Sequence, residues 1–448
     1  MTNESSFLAA PPRLTRRAGL RGLGLAGLAA GVPWALPALA QRDATTTTTP
    51  TIAAPGATVA VPPLPLSLRT LANGLQVVAI PDEKVTTVSV QVWYRVGGKD
   101  DPPGRSGFAH LFEHLMFKAT RDMPDGMFDR LTNDIGGTNN AFTADDVTAY
   151  HSEVPANHLA RLLWAEAQRM SSLQVVQASF ASERAVVQEE YRQRVLASPY
   201  GLLFQALPPA AFERHPYRRP VIGSIEDLQA AGLDDVRRFH DSFYRPDNAV
   251  LIVAGRLDGA GSAGFDALVD RYFGAIARPA APIPRVDVAE PPRAADARLQ
   301  VHGPNVPLPA LALVWKGPAA RSADAPALDV AAALLAAGES SRFYQSLVYS
   351  ERSAQDAGFE AELHHDAGML VAYAIAASGT PLRKLEDGLL REIEKLATQP
   401  IAEAELNKVR ARLLTSALVG RETPHGQAQA VGWSLLLALA CVVGNLLI

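Results

Sequence analysis

Three residues in the apolar segment 107–117, His110, Glu113 and His114, form the pattern H-x-x-E-H. In a helix, positions i, i+3 and i+4 lie on one face, so two imidazoles and one carboxylate would point to a single spot. Neutral imidazoles suit zinc, and a carboxylate beside the metal can take a proton from water. The pattern therefore predicts a zinc site with Glu113 as the base. The alternative is a helix whose polar residues merely meet solvent.

A second predicted helix, residues 180–196, carries Glu183 and Glu190 seven positions apart. Two helical turns separate these residues, so they share a face, whereas Glu189 points about 100° away. Two interpretations remain open on spacing alone. The pair is either a solvated acidic stripe or a set of carboxylates facing the metal, with Glu190 lying 76 positions after His114.

The first 40 residues have the character of an export signal. Four arginines precede an apolar run that ends in Ala38-Leu39-Ala40, an A-x-A cleavage pattern. The pair Arg16-Arg17 indicates the twin-arginine route, with ordinary secretion as the alternative. Prolines interrupt the run, which argues against a membrane anchor. We expect a periplasmic or otherwise exported protein, with residues 41–66 as a disordered linker.

Charge and cysteine content narrow the class of protein. The chain has 42 basic and 46 acidic side chains, and without residues 1–40 it has 38 and 45, a net charge of −7. Such a surface gives no reason to expect nucleic-acid binding. Cys441 is the single cysteine, so an intrachain disulfide is excluded.

Periodicity predicts alternating helices and strands in both halves of the chain. In the first half, strands are predicted at 75–80, 87–95 and 138–150, and helices at 107–117, 128–135, 158–173 and 180–196. In the second half, strands are predicted at 311–316 and 368–375, and helices at 324–335, 381–396 and 401–418. A Pro- and Ala-rich stretch, 279–295, is predicted to connect the two halves.

The final segment, 433–448, is nearly all apolar. A membrane span needs about 20 such residues, so the segment is short for that role. We expect a buried helix of the second half, with membrane contact as the alternative.

The order and the spacing of several further segments are also informative. They are Phe117–Thr120, Gly136–Thr143 with Tyr150, Glu183–Glu190, His215–Tyr217, Pro220–Gly223 and Tyr244–Gly255. With H-x-x-E-H, the inverzincin motif, they resemble the pitrilysin/insulinase family of inverted zinc peptidases. The similarity is to its short two-domain form, which includes mitochondrial processing peptidases and bacterial relatives. It runs from about residue 67 to about residue 430 and is weaker after 280.

The resemblance implies an α+β fold of two similar domains, each an antiparallel β-sheet packed against α-helices. The expected boundaries are 67–278 for the zinc domain, 279–295 for the linker and 296–448 for the second domain. Family members usually continue further, so we also expect that the second domain is truncated.

The same resemblance assigns roles by position. One Zn²⁺ per chain is expected on His110, His114 and Glu190, with Glu113 activating the water and Glu183 supporting the site. Zinc with three protein ligands keeps a fourth position for water, and a supporting carboxylate orients the ligands.

Substrate contacts are also implied. Asn140 and Ala141 match an edge strand that pairs with extended peptide. Arg352 and Phe359 match an Arg/Tyr pair that contacts substrate and supports the oxyanion, with Phe359 where tyrosine is expected. Without a hydroxyl, Phe359 cannot donate a hydrogen bond. Either the enzyme is weakened or a homologous chain completes the cleft, so a heterodimer is expected slightly ahead of a homodimer.

The sequence is thus expected to encode an exported zinc metalloendopeptidase that acts on peptides or unfolded protein segments. The alternative is a non-hydrolytic, zinc-containing subunit of a heterodimeric complex that binds peptides or serves as a scaffold.

Overall fold

Two β-sheets organise residues 63–437, the part of the chain that the computed structural model describes. The expectations for residues 1–40, for most of the 41–66 linker and for residues 438–448 lie outside the described residues. The strands are β1 (Ser67–Thr70), β2 (Gln76–Pro81), β3 (Thr87–Tyr94), β4 (Thr138–Thr143), β5 (Thr148–Pro155), β6 (Ala249–Gly255), β7 (Ala310–Gly317), β8 (Ala354–Leu363) and β9 (Gly368–Ala376).

The α-helices lie between and after these strands. They are α1 (Phe108–Leu115), α2 (Met127–Asn133), α3 (Leu159–Ser172), α4 (Gln177–Tyr191), α5 (Gly201–Gln205), α6 (Leu207–Ala211), α7 (Ile225–Ala230), α8 (Leu233–Phe243), α9 (Phe265–Phe273), α10 (Ala325–Ala336), α11 (Leu382–Thr398), α12 (Glu403–Val419) and α13 (Pro424–Leu437). Wider π-helical turns cover Arg192–Leu196 and Tyr344–Ser350. Short 3₁₀ turns cover Gly98–Asp100, Ala156–His158, Pro216–Arg218, Pro246–Asn248 and Leu257–Ala263.

The first sheet has the strand order β1-β2-β6-β3-β5-β4, so β4 lies at one edge. All its pairs are antiparallel except β2 with β6, which run parallel from Gln76↔Val250 to Pro81↔Gly255. A parallel pair requires a crossover connection, and helices α1 to α8 lie in the chain between these two strands. The sheet is therefore mixed, where a purely antiparallel sheet was expected.

Alternation along the strands separates two apolar faces. Val88, Val90 and Val92 point to the helices α1, α3, α4, α8 and α9, whereas Trp93 points to the opposite face. Strand β6 is buried along its whole length because both faces are covered.

Helix α13 covers that opposite face of the first sheet. Trp433 of α13 packs on Phe142 and edge-on against Trp93, with ring centroids 5.3 and 5.2 Å apart. The expectation of a buried helix for this apolar segment is correct as far as Leu437. Its placement in the second half is wrong, because its packing partners belong to the first sheet.

The second sheet has the order β7-β9-β8 and is antiparallel throughout. Helix α11 and the turn Tyr344–Ser350 pack on one face, around Leu347, Leu385 and Leu389. Segment 207–217 packs on the other face, against Met369 and Val371. Both sheets pack against helices, but within residues 63–437 the first sheet has six strands and the second has three.

A cluster of charged side chains joins the two halves at the tip of the β8–β9 hairpin, and only Asp146 among them is buried. Lys99 Nζ lies 2.8 Å from Asp146 Oδ1 and 2.9 Å from Asp366 Oδ2. The Tyr217 hydroxyl donates to Asp146 Oδ1 at 2.6 Å and accepts from the Asp366 N–H at 3.1 Å. We call these four residues the hairpin latch.

The expected fold class, helices packed on sheets in two halves, is confirmed. One predicted strand, 138–150, is instead the hairpin of β4 and β5, turning at residues 144–147. The predicted helix 180–196 ends its regular part at Tyr191. Within residues 63–437 no helix has both the length and the apolar character to cross a membrane.

Candidate metal centre

Helix α1 presents the H-x-x-E-H residues, and its start is fixed by the preceding loop. The Asp101 carboxylate accepts hydrogen bonds from the backbone N–H of Gly107 at 2.7 Å and of Ala109 at 2.8 Å. These are donors that a helix start leaves without intrahelical partners. Gly107 has φ 89°, and a Cβ there would lie 2.8 Å from the carbonyl oxygen of Ile222. Only glycine fits this turn.

Three side chains from two helices converge beside α1. Nε2 of His110 lies 3.6 Å from Oε2 of Glu190, and Nε2 of His114 lies 3.4 Å from the same oxygen. One ligand atom from each of the three residues falls within 4.8 Å of the others. Packing of α4 on α1 thus brings together residues far apart in sequence.

Two of the three spacings between these donor atoms suit a tetrahedral metal ion. Metal–ligand distances of about 2.0–2.2 Å separate the donor atoms of a tetrahedron by roughly 3.3–3.6 Å. The two N···O distances in the cluster fall in that range. Two imidazoles and one carboxylate are also a donor set that zinc uses in catalytic sites. The residues therefore fit zinc.

The two histidines differ in their electrostatic surroundings. Burial lowers the pKa of His110 to about 4, so its imidazole is neutral and has a free lone pair. Burial also disfavours the charged form of His114, but hydrogen bonds to Glu183 and Glu190 outweigh it and raise the pKa to about 9. A metal at this site would take the place of the His114 proton.

Glu183 orients His114 from behind. Its Oε2 lies 3.5 Å from Nδ1 of His114, and its Oε1 lies 2.8 Å from Nζ of Lys118. A carboxylate on the far nitrogen of a histidine fixes the ring and raises its basicity as a ligand. Burial opposes ionisation of Glu183, but the His114 and Lys118 contacts hold its pKa below the usual range.

Glu113 lies between α1 and the edge strand. Thr143 Oγ1, at the end of β4, donates a hydrogen bond to Glu113 Oε2 at 2.7 Å. Burial raises the pKa of Glu113, with the Thr143 hydrogen bond as a smaller opposing effect. A carboxylate with a raised pKa is a stronger base when ionised, which suits proton transfer.

Asn140 and Ala141 lie on β4, at the edge of the first sheet. Asn140 pairs with His151 and Ala141 with Tyr150, so β5 occupies one side of β4. An edge strand can accept an added strand through backbone hydrogen bonds. Asn140 Oδ1 also accepts from the Ala141 N–H at 2.8 Å.

Arg352 and Phe359 lie on the second sheet and its approach. Arg352 is exposed and has φ 50°, in the turn before β8. Phe359 pairs with Ala372 and packs against the cluster around Leu347 and Leu385, on the helix side of the sheet. Their substrate-contacting role stays a prediction.

Three contacts of the centre were not found by sequence reasoning. Thr143, Lys118 and the guanidinium of Arg194, 2.7 Å from Glu190, all touch its carboxylates. Thr143 and Lys118 stand within the segments that carried the family resemblance, and Arg194 follows Glu190 at helical spacing. Those positions were the available signal, but their partners depend on how the chain folds.

Two family descriptions match this chain. The family description "Insulinase (Peptidase family M16)" matches residues 76–224, and "Peptidase M16 inactive domain" matches residues 231–413.

Individual relatives agree with those matches. The chain is 34% identical over 343 residues to the zinc protease PqqE of Helicobacter pylori, covering 76% of this chain and 77% of that protein. It is 25% identical over 390 residues to the mitochondrial-processing peptidase subunit beta of Blastocladiella emersonii, covering 85% and 81%.

A crystal structure of a protease from Helicobacter pylori is similar, with a TM-score of 0.80 and 31% identity. The matched region covers 84% of this chain and 90% of that chain.

Proposed function

This chain belongs to the insulinase family of peptidases, family M16, and we propose from that premise that it is a zinc-dependent endopeptidase. Its substrates would be peptides or unfolded protein segments. The observation that carries the proposal is the convergence of His110, His114 and Glu190 within 4.8 Å. Homologues named zinc proteases support the metal and the reaction class.

His110, His114 and Glu190 would hold the metal, one ion per chain. Zinc in a three-ligand site supplies Lewis-acid chemistry that polarises a carbonyl and makes water nucleophilic at neutral pH. Glu183 keeps the His114 ring turned toward the site. Lys118 balances the charge of Glu183.

Glu113 would act as the general base and then as the acid. It takes the proton from the attacking water and returns it to the leaving amine. Thr143 holds Oε2 of this carboxylate, so one oxygen is fixed relative to strand β4.

Substrate would bind as an extended strand along Asn140 and Ala141. Backbone hydrogen bonds to an edge strand depend little on side chains, so many sequences are accepted if the segment is unfolded. Because Thr143 belongs to the same strand, the bound peptide and the base share one support.

Export and assembly complete the proposal. Residues 1–40 would direct the chain to the periplasm or beyond, by the twin-arginine or the ordinary secretory route. Each chain would have a zinc domain at 67–278 and a second domain that begins near 296, joined by 279–295, and two such chains would form a clamshell around the substrate. Phe359 has no hydroxyl, which favours a heterodimer in which a homologous chain supplies the Arg/Tyr pair. A homodimer is the alternative, and the mass of the purified complex distinguishes the two.

A non-hydrolytic peptide-binding or scaffold subunit is the second candidate function. Phe359 favours it, because losing one oxyanion donor typically costs about 10²–10³ in rate. The complete set of His110, Glu113, His114 and Glu190 favours the enzyme.

The deciding experiment compares the wild type with Glu113→Gln on a quenched, unfolded peptide, with zinc content measured in parallel. We expect both proteins to hold one zinc, and the variant to lose about 10²–10⁴ in kcat. Zinc without turnover, alone or with a candidate partner chain, would support the non-hydrolytic alternative. Loss of zinc in Glu113→Gln would contradict the proposal that Glu113 is the general base and not a zinc ligand.

A further inference from the structure

Arg194 contacts Glu190 of the candidate metal centre from the solvent side. Its Nη1 lies 2.7 Å from Oε1 of Glu190, and Oε2 of the same carboxylate faces His110 and His114. The guanidinium therefore holds the oxygen that the imidazoles do not face. With Oε1 held, rotation of the carboxylate about its last bond is restricted.

The backbone around Arg194 has an unusual and closely packed conformation. The turn Arg192–Leu196 is π-helical, and the Ala197 N–H donates to the Arg192 carbonyl at 2.8 Å. Val195 is buried, and a Cβ on Gly201 would lie 2.3 Å from the Val195 carbonyl oxygen. Gly201 thus allows the wide turn to pack closely. Single π-helical turns inside helices are rare, and those that occur are often found at functional sites.

A neighbouring pair shows what an ordinary surface contact looks like here. Arg192 lies 3.2 Å from Glu189, and both side chains are about half exposed, at 48% and 56%. Glu190, by contrast, is only 18% exposed, although Arg194 itself is 57% exposed. The Arg194 pair therefore connects solvent to a partly buried ligand, whereas the Arg192 pair lies wholly on the surface.

We propose that Arg194 is a positioning residue of the zinc site, which orients Glu190 so that one oxygen is presented to the metal. The inference rests on the proposed function. Arg194 pairs with Glu190 through one guanidinium nitrogen, Nη1, and partners that orient a metal ligand typically change metal affinity by about 10–100-fold. The positive charge of Arg194 also repels the cation, but exposure to solvent and salt screens this repulsion.

The test is zinc affinity, measured by competition with a chelator, for wild type, Arg194→Gln, Arg194→Lys and Arg192→Gln. We expect Arg194→Gln to bind zinc about 10–100-fold more weakly, and Arg192→Gln to match the wild type. Arg194→Lys should lie between, because an ammonium keeps the charge without the planar guanidinium. Circular dichroism and thermal unfolding of the metal-free proteins check that all four fold alike.

Each remaining outcome has a definite meaning. Equal or tighter zinc binding by Arg194→Gln overturns the proposal, since repulsion would then outweigh positioning. An equal loss in Arg192→Gln also overturns it, because any change on this helix would then have the same effect. If Arg194→Gln does not fold, wild-type zinc affinity in Arg194→Lys overturns the proposal that the guanidinium of Arg194 positions Glu190. A wild type that binds no zinc contradicts the proposed function itself and this inference with it.

Discussion

Glu189 and Glu190 are neighbours in sequence with opposite surroundings. Glu190 faces two imidazoles, whereas Glu189 is 56% exposed and contacts Arg192 and Gln193. Hydrogen bonding to His114 and the charges around it hold the pKa of Glu190 below its usual range despite burial. The pair therefore provides a ligand candidate and a control one residue apart.

We predict that Glu190→Ala releases zinc and that Glu189→Ala does not. Removal of one of three protein ligands leaves two imidazoles, too few for a stable zinc site. Metal content after dialysis, measured by mass spectrometry or a chelating dye, checks this. Full zinc occupancy in Glu190→Ala would show that the third ligand lies elsewhere.

Sequence reasoning at this scale depended on local spacing. His110, Glu113 and His114 lie within five residues, and helical geometry alone placed them together. Glu190 required the family resemblance, because periodicity gave its face but not the element that faces it. Thr143 was missed since its hydrogen bond to Glu113 crosses from a strand to a helix.

At the scale of elements, the Glu290 side chain anchors part of the coil between α9 and β7. Glu290 accepts hydrogen bonds from the backbone N–H of Glu213, Arg214 and His215, at 2.8, 3.0 and 2.8 Å. Its carboxylate also lies 2.7 Å from Lys316 Nζ of β7. Burial opposes ionisation, but these contacts outweigh it and lower the pKa of Glu290 to about 2.

We predict a pH-dependent cost for Glu290→Gln. The carboxylate has a lower pKa in the folded chain, so its stabilisation is present above the unfolded pKa, about 4.5, and is lost toward pH 2. At pH 7 the variant should lose roughly 1–3 kcal/mol of unfolding free energy, and the difference should shrink below pH 4.5.

Denaturant unfolding across pH measures this effect, with Glu213→Gln as the control. Glu213 contributes its backbone N–H to the contact, and its own side chain is exposed. The control should stay near wild-type stability at every pH. A Glu290→Gln deficit that does not change with pH would mean that packing, rather than charge, stabilises this coil.

Most elements followed from their periodicity, and two of the misses have specific structural causes. The segment 138–150 alternates throughout, but Ala144-Asp145-Asp146-Val147 forms a turn because Asp146 is bound by Lys99 and Tyr217. The helix after Tyr191 widens where Gly201 packs on it. Both causes are tertiary contacts, which a reading of neighbouring residues does not contain.

At the scale of the whole molecule, the hairpin latch ties the second sheet to the turn that precedes β5.

The predicted pairing of helices and sheets was correct, but which sheet each helix covers was not always predictable. Amphipathic patterns show that a helix has a buried side without naming its partner. For this reason α13 was placed in the wrong half, and the parallel β2–β6 pair was not foreseen.

We predict that Tyr217→Phe loosens the contact between the halves. The hydroxyl donates to Asp146 and accepts from the Asp366 N–H, so its removal breaks both hydrogen bonds, although Asp146 keeps its contact with Lys99. The unfolding free energy should fall by about 1–3 kcal/mol. Zinc content should stay unchanged, since the latch contains none of His110, His114 and Glu190.

Tyr349→Phe is the matched control, because Tyr349 is 68% exposed. An exposed hydroxyl away from such contacts should change stability by less than about 0.5 kcal/mol. Equal denaturant midpoints for the two variants would rule out the latch as a stabilising contact.

Because α13 packs on strands that lie much earlier in the chain, it can cover the first sheet only late in synthesis. The first sheet is complete only after β6 ends at Gly255, Trp433 of α13 follows 178 residues later (433 − 255), and ribosomes add roughly 5–20 residues each second. One apolar side of an otherwise complete sheet would thus remain uncovered for tens of seconds in a nascent chain. During that interval we expect the nascent polypeptide to bind holding chaperones, because this apolar face is covered only once α13 has been made.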